Sequence, residues 1–350
     1  MNANERVMGD PIEQLVRLAY ERGASDIHIE PGKVGYQVRV RVSGRLEAWE
    51  VAQGGLEATA VSKIKLLARM DIAERRLPQD GSFRLPLGGG ELLDVRVSSL
   101  PTVHGEKLAL RLLQTGARHS LDDLGLEPRQ RGQFLSWIQA RHGLVLVTGP
   151  TGSGKTTTLY ASLLHLQTES RNLSTLENPV EIKIPGVNQV EIQPRMGLTF
   201  HTALRSILRQ DPDVLMIGEV RDGESAEVAL RAALTGHLVL TSLHSESAVG
   251  ALLRLLDLGV PPAVIGTALR GVVGQRLIET REGRQAVFEL LPMTDSLRQG
   301  LFQRADAQEL TLRARRDGAR LLPDVLFDRL ESGLIDEATF DNVIGERGLS

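Results

Sequence analysis

The stretch Leu144-Val145-Leu146-Val147-Thr148-Gly149-Pro150-Thr151-Gly152-Ser153-Gly154-Lys155-Thr156-Thr157 decides how the rest of the chain is read. Its first part is an unbroken apolar run, the pattern of a strand buried on both faces, and its last part opens a helix. Between them, Gly149 to Thr156 matches G-x-x-x-x-G-K-[ST] in full, in the strand-to-helix setting that gives the pattern its meaning. Such a loop lets backbone N–H groups converge on phosphate oxygens at the positive end of a helix, so Gly149, Thr151, Gly152, Ser153 and Gly154 read as a phosphate cradle. Lys155 adds a positive charge for the β- and γ-phosphates, Thr156 offers a hydroxyl to Mg²⁺, and Thr157 beside it is a further candidate nucleotide-binding residue. ATP and Mg²⁺ are the cofactors these residues predict.

A phosphate loop needs a carboxylate nearby. Val214-Leu215-Met216-Ile217-Gly218-Glu219 ends an apolar run with an acid, which is where a metal-side group emerges in an open parallel sheet. Glu219 is therefore the second candidate metal residue beside Thr156. Thr175-Leu176-Glu177-Asn178-Pro179-Val180-Glu181 places two glutamates at the end of another strand, and both are candidates to orient an attacking water. His237 and His244 bracket the strand Leu238 to Thr241 from opposite ends, and one of them is a candidate γ-phosphate sensor. His165 and His201 have no supporting context.

Outward from the loop, apolar segments at Gly143 to Thr148, Leu173 to Leu176, Val214 to Ile217 and His237 to Ser242 alternate with helical stretches. That alternation predicts a parallel sheet covered on both faces. Beyond Ser296 the pattern is one of short helices, including Asp336 to Val343. The first third differs. Asp10-Pro11-Ile12-Glu13 is a helix start and Gly23 its stop, with Ile12, Leu15, Val16 and Ala19 as the apolar stripe. Alternating strands follow at Asp26 to Glu30, Gln37 to Val42 and Arg45 to Trp49, with Ser43-Gly44 as a hairpin turn. A helix over about Glu57 to Met70, two strands flanking Gly88-Gly89-Gly90, and a strand from Glu106 to Leu113 complete an α+β unit. The expected organisation is residues 1–115, a linker at 116–122, and a nucleotide-binding unit at 123–350 with a helical tail.

Composition sets limits. A chain of 350 residues, 41% hydrophobic, has room for two domains of roughly 150 residues each. A net charge of -3 and 3% aromatics give neither a basic stripe nor a stacking platform, so no direct nucleic acid partner is expected. With 0 Cys there is no thiolate zinc site, and metal binding falls to oxygen or imidazole. The absence of an apolar h-region and of any unbroken apolar run of ~18 residues points to the cytoplasm.

Taken together, these residues resemble the secretion and type IV pilus assembly ATPases, a traffic-ATPase family. The likeness runs over nearly the whole chain. Ala24 to Pro31, Arg75 to Gly81 and Asp94 to Pro101 look like its N-terminal blocks, Thr175 to Glu181 its Asp box, Leu208 to Asp222 its Walker-B region, and Thr235 to His244 its His box. The resemblance implies a PAS-like N-terminal domain, a RecA-like P-loop motor and a homohexamer. Under it Glu181 becomes the water-activating base, Glu219 the Mg²⁺ and water group, and His244 the γ-phosphate sensor. Arg96 and Arg111 fall in the stretch that supplies arginine fingers, although both also suit ion pairs on a strand face. The implied function is to power assembly of a type IV pilus-like or pseudopilus machine, for competence DNA uptake or type II secretion. Its implied partner is an inner-membrane platform protein, with the ATPase peripheral on the membrane's cytoplasmic face.

Asn178 stands where the Asp box usually has aspartate, and Ser82 where many relatives have arginine, with Arg84 a candidate substitute. With 0 Cys the four-cysteine zinc module is absent, and no extra docking domain is expected before the first helix. This short, zinc-free form looks most like the competence pseudopilus ATPase of Gram-positive bacteria. The rival readings are a pilus retraction motor, a RecA-like DNA translocase, and an ATP-binding switch of low turnover.

Overall fold

In the computed structural model, which describes residues 10–33, 35–42, 44–49, 58–88, 91–113, 120–281 and 283–345, the Asp10 side chain accepts a hydrogen bond from Ile12 N at 3.0 Å. That bond satisfies one orphan donor and starts helix α1 (Pro11–Glu21). The chain falls into two units, Met1–Ala117 and Arg118–Ser350.

In the first unit, α1 is followed by β1 (Ala24–Pro31), β2 (Tyr36–Val42), β3 (Arg45–Trp49), α2 (Ala58–Leu67), β4 (Gln79–Gly88), β5 (Glu91–Thr102) and β6 (Gly105–Leu113). The strands form one antiparallel sheet in the order β3-β2-β1-β6-β5-β4. Ile27, Ile29, Val38, Val40, Val95, Val97, Leu108 and Leu110 all point to one face and are buried with Ile12, Leu15 and Val16 of α1 and Val61 and Ile64 of α2. The period-2 alternation therefore leaves a polar face opposite. Lys65 is buried under this sheet, its ammonium held 2.7 Å from Glu106 Oε1 and 2.6 Å from Glu74 O. The expected turn residue Ser43, the start of the second helix at Glu57, and Gly89-Gly90 lie outside the described residues.

The second unit opens with a 3₁₀ turn at Leu121–Leu124, whose two leucines are buried in its core. The end of the expected linker thus belongs to this unit; 116–119 lie outside the described residues. There follow α3 (Pro128–Ile138), β7 (Gly143–Thr148), α4 (Lys155–Leu166), β8 (Leu173–Glu177), β9 (Asn188–Glu191), α5 (Phe200–Ile207), β10 (Val214–Ile217), α6 (Gly223–Leu234) and β11 (Leu238–Leu243). Then come α7 (Ala248–Asp257), α8 (Pro262–Ala268), β12 (Leu269–Thr280), β13 (Gly283–Pro292), α9 (Asp295–Phe302), α10 (Ala307–Arg316), α11 (Leu322–Glu331) and α12 (Glu337–Gly345).

The sheet order is β13-β12-β7-β11-β10-β8-β9, parallel except for the β12–β13 hairpin. Every residue of β7, β8, β10 and β11 is buried. Leu144, Leu146, Leu215 and Ile217 face one core, while Val145, Val147, Val214 and Met216 face the other. Burial on both faces is why these strands read as continuous apolar runs. The result is the expected α/β P-loop domain with a parallel-sheet core, preceded by a smaller α+β unit built on an antiparallel sheet. The C-terminal helices are pinned by buried Glu289 on β13, which accepts from Ala248 N at 2.6 Å and Leu322 N at 2.7 Å. One carboxylate thereby caps the starts of α7 and α11.

Candidate active site

The C-terminal ends of β7, β10 and β11 lie side by side and carry the candidate chemistry. Thr148 Oγ1 at the end of β7 donates to Leu243 O at 2.9 Å and Ser245 O at 3.2 Å, tying the phosphate loop to the exit of β11. Gly149 has φ 150°, and a Cβ there would lie 2.3 Å from Gln275 O. Gly154 has φ 89°, and a Cβ there would lie 2.8 Å from Gln275 Nε2. Both positions need glycine for conformation and for space. A Cβ at Gly152 would meet nothing within 4 Å among the described residues, so that side of the loop is open. Helix α4 is preceded by Gly154 as an N-cap with no side chain to bond, and Ser153 Oγ is buried with no hydrogen-bond partner among the described residues. An uncapped helix start beside an orphaned hydroxyl in a glycine cradle is the donor set a phosphate needs.

Lys155 is buried, and its Nζ donates to Gly149 O and Pro150 O, both at 2.8 Å. The lysine folds back onto its own loop. Burial pushes its pKa below the ordinary value, while the carboxylates of Glu219 and Glu246 pull it back up. Thr151 is exposed, and Thr156 and Thr157 are half-buried on the first turn of α4.

Glu219 leaves β10 through a stitched exit. Gly218 N donates to Leu176 O at 2.9 Å, Val220 N to Ser242 O at 2.8 Å, and Ser242 Oγ to Gly218 O at 2.7 Å. The carboxylate is held between the Arg221 guanidinium and His244, whose Nε2 is 3.2 Å away. His237 sits at the other end of β11. Its Nδ1 lies 3.0 Å from Ala232 O and 3.4 Å from Thr235 Oγ1, closing the end of α6. Of the two histidines, His244 alone is beside the site.

The two glutamates after β8 also separate. Glu177 is turned inward and accepts from the Tyr160 hydroxyl, from Thr175 Oγ1 at 2.5 Å and from Gln189 Nε2 at 3.1 Å. Glu181 is exposed, and its backbone N donates to Tyr160 OH at 3.2 Å. Glu177 is thereby removed as a water-orienting group, since its oxygens are committed to the interior. Asn178 is exposed on the turn between them.

In the first unit, Ser82, Arg96, Arg111 and Asp26 occupy one row across β4, β5, β6 and β1 on the polar face. Arg111 Nε lies 3.1 Å from Asp26 Oδ1 with its side chain mostly exposed. Arg84 pairs with Asp94 at 2.8 Å.

Sequence reading missed Gln275, Arg276, Glu246 and Tyr160. Gln275 Oε1 accepts from Thr158 Oγ1 at 2.7 Å, which anchors the phosphate-loop helix to β12. Buried Arg276 pairs with Glu246, a carboxylate that acts on Lys155. The available signal was a polar Gln275-Arg276 pair inside the apolar run Val272 to Ile278, which in a buried strand must serve a partner.

A phosphate loop on a parallel sheet, with a carboxylate emerging two strands away from the end of β10, defines a P-loop ATP hydrolase. The chain belongs to a particular branch of that class, the family described as "Type II/IV secretion system protein", whose pattern matches residues 2–281. It is 43% identical over 335 residues to type II secretion system protein HxcR of Pseudomonas aeruginosa, covering 88% of this chain and 71% of that one. It is 47% identical over 270 residues to type II secretion system ATPase E of Vibrio cholerae, covering 77% and 54%. The chain thus spans about half the length of the Vibrio relative. Among solved structures, the pilus retraction motor PilT with bound ADP superposes with a TM-score of 0.77 at 29% identity, covering 95% of this chain and 96% of that one. The Legionella pneumophila ATPase DotB, at 24% identity and a TM-score of 0.80 over 98% of each chain, shares the fold.

Proposed function

We propose that this chain is the motor ATPase of a type II secretion or type IV pilus assembly machine. The observation that carries the reading is the convergence of Lys155, Glu219 and His244 on one sheet edge, with Glu181 on the adjoining turn, in a chain 43% and 47% identical to type II secretion proteins. The cradle of Gly149 to Thr157 binds the ATP phosphates. Lys155 gives up its bonds to Gly149 O and Pro150 O and transfers them to β- and γ-phosphate oxygens. Thr156 and Glu219 would hold Mg²⁺, which supplies positive charge to the phosphates when bound. Glu181 takes the proton of the attacking water. His244, oriented by Glu219, donates to the γ-phosphate. Arg96 and Arg111 act on a neighbouring subunit's nucleotide in a homohexamer, adding positive charge where it develops in the transition state.

The chain would work on the cytoplasmic face of the inner membrane against a polytopic platform protein, without contacting nucleic acid. Among the described residues no helix is long and apolar enough to cross a membrane. A pilus retraction motor is the second reading, favoured by the near-complete mutual coverage with PilT, but the higher identities lie with secretion proteins. Competence draws no support from these relatives. The test is Mg²⁺-dependent ATPase activity of the purified chain, abolished by Lys155→Ala, together with its recovery from membranes bound to a polytopic protein. Hydrolysis stimulated by DNA and indifferent to membranes would replace this reading with a translocase.

A further inference from the structure

We propose that Tyr160 is a positioning residue for Glu181, locking the turn after β8 to the helix that begins at the phosphate loop. Tyr160 lies on α4, five residues past Lys155, and is buried. Its hydroxyl donates to Glu177 Oε2 and accepts from Glu181 N at 3.2 Å and Ile182 N at 3.4 Å. One donor and two lone pairs are the full capacity of a phenol. Residues 180–184 belong to no strand or helix, so their backbone groups depend on side chains. Tyr160 serves two of them. Gln189 serves two more, with Nε2 donating to Ile182 O at 2.9 Å and Oε1 accepting from Ile184 N at 2.6 Å. Glu191 Oε2 takes Val180 N at 3.0 Å.

Glu177 holds both of the central anchors, since it accepts from Tyr160 and, at 3.1 Å, from Gln189. Its burial therefore has a role that a water-orienting carboxylate could not fill. Burial and the Glu177 carboxylate push the Tyr160 pKa well above the ordinary value of 10.0, so the phenol remains a donor throughout the working range. Any displacement of α4 is carried through one rigid side chain to the backbone of Glu181. The helix that meets the phosphates thus sets the position of the base.

The inference rests on the reading of Glu181 as the base, and the experiment separates the two. Steady-state and single-turnover ATP hydrolysis are measured for Tyr160→Phe, Glu181→Gln and the double variant. Tyr160→Phe is expected to lower kcat by ~10 to 100-fold, the scale of an ångström of misplacement, with the KM for ATP changed less than ~2-fold. In the Glu181→Gln background the same substitution is expected to cost nothing further, because its effect passes through the lost carboxylate. An inactive Glu181→Gln with a fully active Tyr160→Phe overturns the positioning role, and so does a double variant that loses both factors in full. A fully active Glu181→Gln overturns the base itself. Should Tyr160→Phe fail to fold because Glu177 loses a donor, Tyr160→Phe combined with Glu177→Gln removes the buried charge and is held to the same outcomes.

Discussion

His244 Nε2 lies 3.2 Å from Glu219 Oε2, across the ends of the paired strands β11 and β10. The contact orients the imidazole, but it also occupies an oxygen of the carboxylate assigned to the metal, whose other oxygen faces Arg221. Metal binding therefore has to compete with the Arg221 guanidinium and the His244 imidazole. Glu219→Gln should lower kcat and raise the Mg²⁺ concentration needed for half-maximal rate. His244→Ala should lower kcat by ~10 to 100-fold with little change in ATP affinity, as for a group acting on charge developed in the transition state. Mg²⁺ titrations of the rate and equilibrium binding of a fluorescent nucleotide check both. A His244→Ala variant that binds ATP many-fold more weakly at unchanged kcat would place His244 in ground-state binding instead.

Lys155 is buried with no carboxylate in hydrogen-bond contact among the described residues, and its ammonium is served by two carbonyls of its own loop. Burying a charge costs stability unless fully compensated. Lys155→Met keeps the length of the chain and drops the charge, so it should leave the unfolding midpoint in the absence of nucleotide unchanged or raised. The same variant should lose ATP binding by at least ~10-fold. Denaturant titration and nucleotide binding on one preparation separate the two effects. A large fall in stability would show that the ammonium is part of the loop's framework.

Acid should loosen the antiparallel unit in two stages. Both ring nitrogens of His28 are buried without hydrogen-bond partners among the described residues, and burial, followed by Lys107, pushes its pKa below 6.5 despite the opposing charges of Asp26 and Glu30. The unfolded chain then takes up the proton first. The corresponding stability is present above pH ~6.5 and is lost as pH falls from there through the folded value. Glu30 is held down to about 2 chiefly by the Arg39 guanidinium, with Lys107 assisting, so its contribution is present above 4.5 and lost as pH approaches 2. Hydrogen exchange in β1 and β6 of the full chain should accelerate in both windows. His28→Leu should abolish the upper one and spare the lower.

What the sequence made legible follows from the range of the interactions involved. The phosphate loop and Glu219 were readable because their strands are buried on both faces and announce themselves as apolar runs ending in chemistry. The β12–β13 hairpin was not, because Gln275 and Arg276 interrupt its apolar run to meet Thr158 and Glu246, partners distant in sequence. By local pattern alone Glu177 and Glu181, four residues apart on one turn, were indistinguishable, and only the family resemblance favoured Glu181. Tyr160 and Gln189, on other elements, decide which of them turns inward. His237 and His244 were equally symmetric in local pattern, where the resemblance favoured His244, and the direction of β11 puts His244 at the site's end of the strand. The arginine row of Arg96 and Arg111 needed strand register, which no local pattern supplies.

Gln275 bounds the phosphate loop with both its backbone and its side chain. A Cβ at Gly149 would meet the Gln275 backbone oxygen at 2.3 Å, whereas a Cβ at Gly154 would meet only the end of its side chain, at 2.8 Å. Backbone in the middle of a sheet cannot retreat, but an amide can swing away at the cost of its bond to Thr158. Both alanine variants carry the strain of a positive φ, about 1 to 2 kcal/mol. Gly154→Ala adds the loss of one hydrogen bond, about 1 kcal/mol, while Gly149→Ala must displace β12 or β7 and should cost clearly more. Gln275→Ala removes the side-chain obstacle alone. Combined with Gly154→Ala it should destabilise less than the sum of the two single changes, and combined with Gly149→Ala the costs should simply add. Urea unfolding of the five variants reads these differences directly. If Gln275→Ala relieved Gly149→Ala as much as Gly154→Ala, the backbone of β12 would not be what holds the loop against the sheet.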